Sequence, residues 1–414
     1  MRRRAIRGRT AALAGLTGVL ALALLVVICW PRWLARHGAG WTHDPEDAAW
    51  VLPAASRALI EQAFSGLDGQ VIVDHGVGVI SRGQLSGPDF SNHSRERDYG
   101  AAAIGAWLSQ SLRERAAGII DADTADADYV SRLLRQIRAM PGPYRAEITA
   151  RDGVFGQHGA PLDDQPGPTV SNRYVAWLAG RAKKALAAEV SIHPRRPDAG
   201  AALKRWAKAG VRDVRWWPAA QRIDLHGAPA KAAYKIMAAH HMRLDVAVGR
   251  LRPPNHVPVW VAPAAVEAAL DAGVAVRLRL GGATGDAGQR LMPALFALLR
   301  RHGDAKPALT VSLAGLLTGD RPGTELEPLL QHPQFFDHLR YASAYPASAR
   351  ADAIDLEALT RSGFIAGADV APLRAIYDVN TLLFALVVMR RVHLPYTSLR
   401  FPARVFVAAD GDAD

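Results

Sequence analysis

Residues 71–80 read VIVDHGVGVI, and the fold follows from this stretch. A short run of Val and Ile ending in polar residues has the composition of a buried β-strand. It delivers an acid–histidine pair, Asp74-His75, and then Gly76 and Gly78, two positions apart, where alternating side chains would share one face. Seven further runs of this kind follow: YRAEIT (144–149), AEVSIH (188–193), VRDVRWW (211–217), LDVAV (244–248), VAVRLRL (274–280), ALTVSLA (308–314) and HLRYAS (338–343). Between most of them lie amphipathic helical patterns such as NRYVAWLAGRAKKAL and AGAALKRWAKAG. Gly210 and Gly273 stand just before the next strand, where a helix stop is expected.

Eight strands with intervening helices predict an α/β fold, a TIM-like (β/α)8 barrel with its strands parallel. An open doubly wound sheet is the other arrangement, but no Gly-rich phosphate fingerprint follows the first strand. Residues 81–100 and 151–170 break the repeat as long loops, and in a barrel both would overlie the C-terminal face. The apolar run Thr381–Met389 is too short to span a bilayer and is expected to be a buried helix.

Half the residues are hydrophobic, so the composition is globular and not disordered. The formal net charge is +11, but seven Arg and no acid fall within residues 1–40. What remains is too diffuse for a phosphate-binding footprint, and no nucleic-acid partner is expected. Residues 11–30, AALAGLTGVLALALLVVICW, carry no charge. Their length matches a hydrocarbon core of about 30 Å. A cleavable signal peptide would have a shorter apolar region, about 7–15 residues, and a small-residue site; only Gly38-Ala39-Gly40 weakly suits that.

The expectation is therefore an uncleaved signal anchor: a single transmembrane helix in the inner (cytoplasmic) membrane. Five Arg before the run and two after it keep the N-terminus cytoplasmic and put the barrel on the periplasmic or extracellular side. The implied order is a basic N-terminus (1–10), the anchor (11–30), a linker (31–52), the barrel (53–406) and an acidic tail expected to be disordered (407–414). Cys29, the only cysteine, lies in the anchor, which excludes an internal disulfide and a Cys-based zinc site.

Several stretches together resemble the amidohydrolase-related (amidohydrolase-2-like) branch of the metal-dependent amidohydrolase superfamily. They are VIVDHGVGV, ADADYVSRLLRQIRAMP, VSIHPRRPDA, VRDVRWWPAAQRID, LDVAVG, LRYASAYP and NTLLFALVVMRRV, collinear over roughly residues 68–406. The resemblance implies a TIM-like barrel. Active members carry a His-x-His pair after the first strand, a Lys or equivalent on a middle strand, a His after each of two later strands and an Asp after the eighth. Such groups hold one or two divalent ions that lower the pKa of bound water to about 7, and the Asp takes its proton.

Here the ligand positions fall on Gly76, Gly78, Arg215, Ala247, Leu280 and Ala344. Arg215 can be neither carboxylated nor readily deprotonated, and its fixed charge opposes a divalent ion. The resemblance thus implies a pseudoenzyme: a membrane-anchored barrel that has lost metal-dependent hydrolysis and serves as a binding or scaffolding module. No metal or other cofactor is expected in it.

The alternative is a divergent hydrolase or lyase acting on a lactone, amide or carboxylate, with a divalent metal such as zinc only under that reading. Asp74, His193, Arg215 and Tyr345 are its surviving polar candidates. His75 points opposite to Asp74 by alternation and is expected to be packed. Arg215, Arg250, Arg252 and Arg279 lie at or past strand ends and are candidates for binding a small anion through guanidinium forks. A neighbouring membrane protein is the other partner considered.

Overall fold

Nine strands form one sheet: β1 (Ile72–Gly78), β2 (Tyr144–Thr149), β3 (Leu186–Val190), β4 (Asp213–Trp216), β5 (Arg243–Leu251), β6 (Val259–Val261), β7 (Ala275–Gly281), β8 (Leu309–Ser312) and β9 (Leu339–Arg340). The computed structural model describes residues 41–83, 110–162, 169–251, 259–281, 286–303, 308–318 and 323–408. The expected anchor at 11–30, most of the 81–100 loop, Arg252 and residues 409–414 lie outside these. Among the described residues no helix is long and apolar enough to cross a membrane.

The order is β1-β2-β3-β4-β5-β7-β8-β9, every neighbour parallel, with β6 antiparallel on β5. The expected eight-strand frame is present as a nearly closed, TIM-like barrel. Its outer helices are α1 (Ala54–Phe64), α2 (Ala125–Arg138), α3 (Asn172–Arg181), α4 (Ala199–Lys208), α5 (Ala228–Ala239), α6 (Glu267–Asp271), α7 (Asp286–His302), α8 (Gly323–Leu330), α9 (Val370–Val379) and α10 (Thr381–Arg391). Gly210 and Gly273 follow α4 and α6 at φ +87°, the left-handed geometry that ends a helix cheaply only at glycine. Residues 381–389 are all buried within α10, as their apolar run predicts.

The ring closes along a seam. The His75 N–H donates to the Tyr341 carbonyl (3.1 Å) and the Gly78 N–H to the Tyr345 carbonyl (2.8 Å). Below these bonds the segment 405–408 lies between β1 and β9. The Tyr341 N–H donates to Val405, the Val73 N–H to Phe406 and the Ala408 N–H to Val71. Ala408 thus still bonds to the residue that precedes β1. At the other end, Trp41 lies under the Arg132 guanidinium at 3.9 Å and Glu46 pairs with Arg138 at 2.8 Å, so residues of the expected linker already pack on α2.

Alternation sorts the strand residues. Val276, Leu278 and Leu280 of β7 join Leu244, Val246 and Val248 of β5 in the apolar layer beneath the helices. The opposite face points into the barrel and carries charge.

Candidate functional site

The barrel interior holds a connected set of buried ion pairs. Arg277 on β7 contacts Glu147 on β2 (2.5 Å), Asp213 on β4 (3.3 Å) and Asp245 on β5 (3.4 Å). Arg215 on β4 reaches Glu189 on β3 (2.6 Å) and Asp245 (3.1 Å). Arg279 reaches Asp245 (2.9 Å) and donates to the His75 carbonyl, while Arg243 reaches Asp213 (3.3 Å). His75 Nδ1 lies 2.8 Å from Glu147, so this histidine is packed inside, as expected.

Burial opposes ionisation of Glu147, but Arg277 and His75 override it and hold the carboxyl well below its ordinary range. Burial, aided by Arg277, lowers the His75 pKa, while Glu147 opposes the shift. Burial pushes Asp213 up to about 6 even though Arg243 and Arg277 oppose it.

The implied metal-ligand positions do not converge on a cation cage. A Cβ added at Gly76 would lie 2.7 Å from Ala342 Cβ and 3.0 Å from the Ala344 nitrogen, so no imidazole fits there. At Gly78 the nearest atom to such a Cβ is the Tyr345 carbonyl, at 3.6 Å. Arg215 is held by its two carboxylates, and Ala247 offers no donor. The sixth-strand assignment needs correction: Leu280 faces the helices, and the residue turned inward beside Ala247 is Arg279. Ala344 sits at φ +59° in the turn that follows β9.

A divalent ion, implied by the sequence resemblance, does not fit this donor set. The nearest carboxylates already bind guanidiniums, and the described residues contain no group of three His, Cys, Asp or Glu able to hold an ion.

The four surviving polar candidates are likewise kept apart by separate partners. Asp74 accepts from the Gly76 N–H (3.0 Å), the Ser343 N–H (2.8 Å) and the Tyr144 hydroxyl (2.7 Å), which makes it a latch across the seam. Burial still pushes its carboxyl above the ordinary range. His193 Nε2 lies 2.9 Å from the Gln221 carbonyl, and its Nδ1 accepts the Arg195 N–H (3.1 Å). Tyr345 donates to the Ala117 carbonyl (3.3 Å), and Arg215 belongs to the interior network.

Of the arginines considered for anion binding, Arg215 and Arg279 are neutralised by acids, Arg250 is exposed on the β5–β6 extension, and Arg252 lies outside the described residues. Sequence reasoning missed a different one. Arg151, two residues past β2, is half-buried at the C-terminal mouth, and its guanidinium carbon lies 5.5 Å from the Trp217 ring centre. No hydrogen bond or ion pair to its side chain occurs among the described residues.

Burial, with Arg113 close by, lowers the Arg151 pKa to about 10, which leaves it charged at neutral pH. The Arg113 pKa is itself lowered by burial and by Arg350, with Glu114 opposing the shift. Asp152, the adjacent acid, is taken by the His193 N–H (2.8 Å) and Arg196 (3.2 Å).

No family model matches the chain, and no curated protein matches it. Solved structures do. A probable 2-pyrone-4,6-dicarboxylic acid hydrolase from Acinetobacter baumannii, crystallised with citric acid, is similar at 12% identity and a TM-score of 0.42, covering 76% of this chain and 98% of that one. A 5-carboxyvanillate decarboxylase from Sphingomonas paucimobilis is similar at 12% identity and 0.39, covering 77% and 96%. The apo IDCase of Metarhizium anisopliae is similar at 12% identity and 0.39, covering 79% and 96%. Hydrolases and decarboxylases are thus among the solved structures that this barrel resembles in fold.

Proposed function

We propose that this chain is a divergent amidohydrolase-type barrel that binds a small carboxylate-bearing molecule at its C-terminal mouth by guanidinium charge, without a divalent ion. The observation that carries this is Arg151, a charged guanidinium on an aromatic face with no acid to neutralise it among the described residues. Trp217 offers a flat apolar surface, Arg151 a forked donor pair, and Arg113 a second positive charge. A planar carboxylate satisfies all three. The anchor at residues 11–30, which rests on its charge-free length, would hold this mouth on the far side of a membrane.

A second reading is a hydrolase or lyase of a lactone, amide or carboxylate. It is favoured by the position of Arg151 and Trp217, past the C-terminal ends of β2 and β4, where barrels place reacting groups.

Calorimetric titration of the full chain with phthalate in the presence of EDTA tests the binding. A charged hydrogen bond contributes about 1.5–3 kcal/mol, so Arg151→Met should weaken binding by about ten- to a hundredfold. Unchanged affinity in that variant, or binding that needs an added divalent ion, overturns the reading. Conversion of a lactone or aromatic carboxylate that disappears in Arg151→Met would favour the second.

A further inference from the structure

The opposite end of the barrel carries a cleft. It has a volume of about 500 Å³ and opens between the start of β1, the turn into β2 and the turn into β3. That volume lies within the range of small-ligand sites, about 300–1,000 Å³. Its wall is apolar, formed chiefly by Val71, Val73 and Met140, and Val71 is 39% exposed there.

Its rim is cationic. Lys183 and Lys184 are exposed, and neither they nor the Arg145 guanidinium has an ion pair or side-chain hydrogen bond among the described residues. The Arg145 Nε is moreover buried without a partner. The fourth cation, Arg138, is already matched by Glu46 at 2.8 Å. Three unmatched positive charges over an apolar wall are complementary to an anion that carries an apolar body.

We propose that this cleft binds a monoanionic amphiphile, its carboxylate against Lys183, Lys184 and Arg145 and its apolar body against Val71, Val73 and Met140. The site is independent of the mouth. Arg145 and Arg151 are six positions apart along one extended segment, up to about 20 Å.

The test titrates the full chain with 4-phenylbutyrate and with its uncharged twin 4-phenylbutanol, followed by ligand-observed NMR. The acid should bind at least tenfold more tightly than the alcohol. Lys183→Glu with Lys184→Glu should weaken the acid at least tenfold, and Val71→Trp, which fills the exposed wall, should abolish binding. All three positions are solvent-exposed, so these variants are expected to fold. Phthalate binding at the mouth should be unchanged in them, and Arg151→Met should leave 4-phenylbutyrate binding unchanged. Equal binding of alcohol and acid, or unaltered affinity in the Lys183/Lys184 double variant, would overturn the proposal.

Discussion

At Gly76 and Gly78 two identical residues have unlike reasons to be glycine. The first is a steric requirement of the seam, because a methyl there would sit 2.7 Å from Ala342 Cβ. The second faces only ordinary contact at 3.6 Å. Gly76→Ala should therefore cost about 1–3 kcal/mol, the range for overpacking, and Gly78→Ala should cost little. Urea unfolding of both variants reads the contrast, and equal costs would reject the steric account. From sequence alone both glycines read as vacant ligand sites. The distinction depends on Ala342, far downstream in the turn after β9, and local spacing does not contain it.

Among the elements, the eight parallel strands and the buried C-terminal helix were legible because their periodicity is local. β6 was not: it is three residues long beside a Pro-rich stretch, with Val259 and Trp260 exposed. The interior charges were half legible. In VAVRLRL the arginines alternate with aliphatic residues, and in a strand buried on both faces such charge needs acids opposite it. YRAEIT, AEVSIH, VRDVRWW and LDVAV each supply one. Which acid meets which arginine depends on pairing across the ring and appears only in the fold. The unmatched charge of Arg151 was hidden for the same reason.

Asp213, at the foot of β4, makes this element-scale network pH-sensitive. Its folded pKa of about 6 exceeds the unfolded value of about 3.9. The stability it contributes is thus fully present below about pH 4 and is lost as pH rises through about 6, by up to about 3 kcal/mol. The unfolding free energy of Asp213→Asn minus that of the native chain should grow more positive between pH 4 and pH 7. A flat difference in urea titrations across that range would contradict it.

For the molecule as a whole, Arg277 ties β7 to β2, β4 and β5 through the middle of the ring. Arg277→Met would strand Glu147 without its arginine, while Asp213 keeps Arg243 and Asp245 keeps Arg215 and Arg279. Leaving a buried charge unpaired in this way costs about 3–5 kcal/mol. Guanidinium denaturation of the full chain measures it, and a loss below about 1 kcal/mol would show that the pairs are dispensable.

The seam has a kinetic corollary. Ile72 bridges Val407, so the two lips of the ring come from opposite ends of the described chain. Until residues 405–408 arrive, β1 keeps an open hydrogen-bonding edge, the kind of surface on which unfinished chains associate. Such distant pairing makes closure a slow, entropically costly event. The barrel's most vulnerable moment is therefore the interval before it becomes a ring.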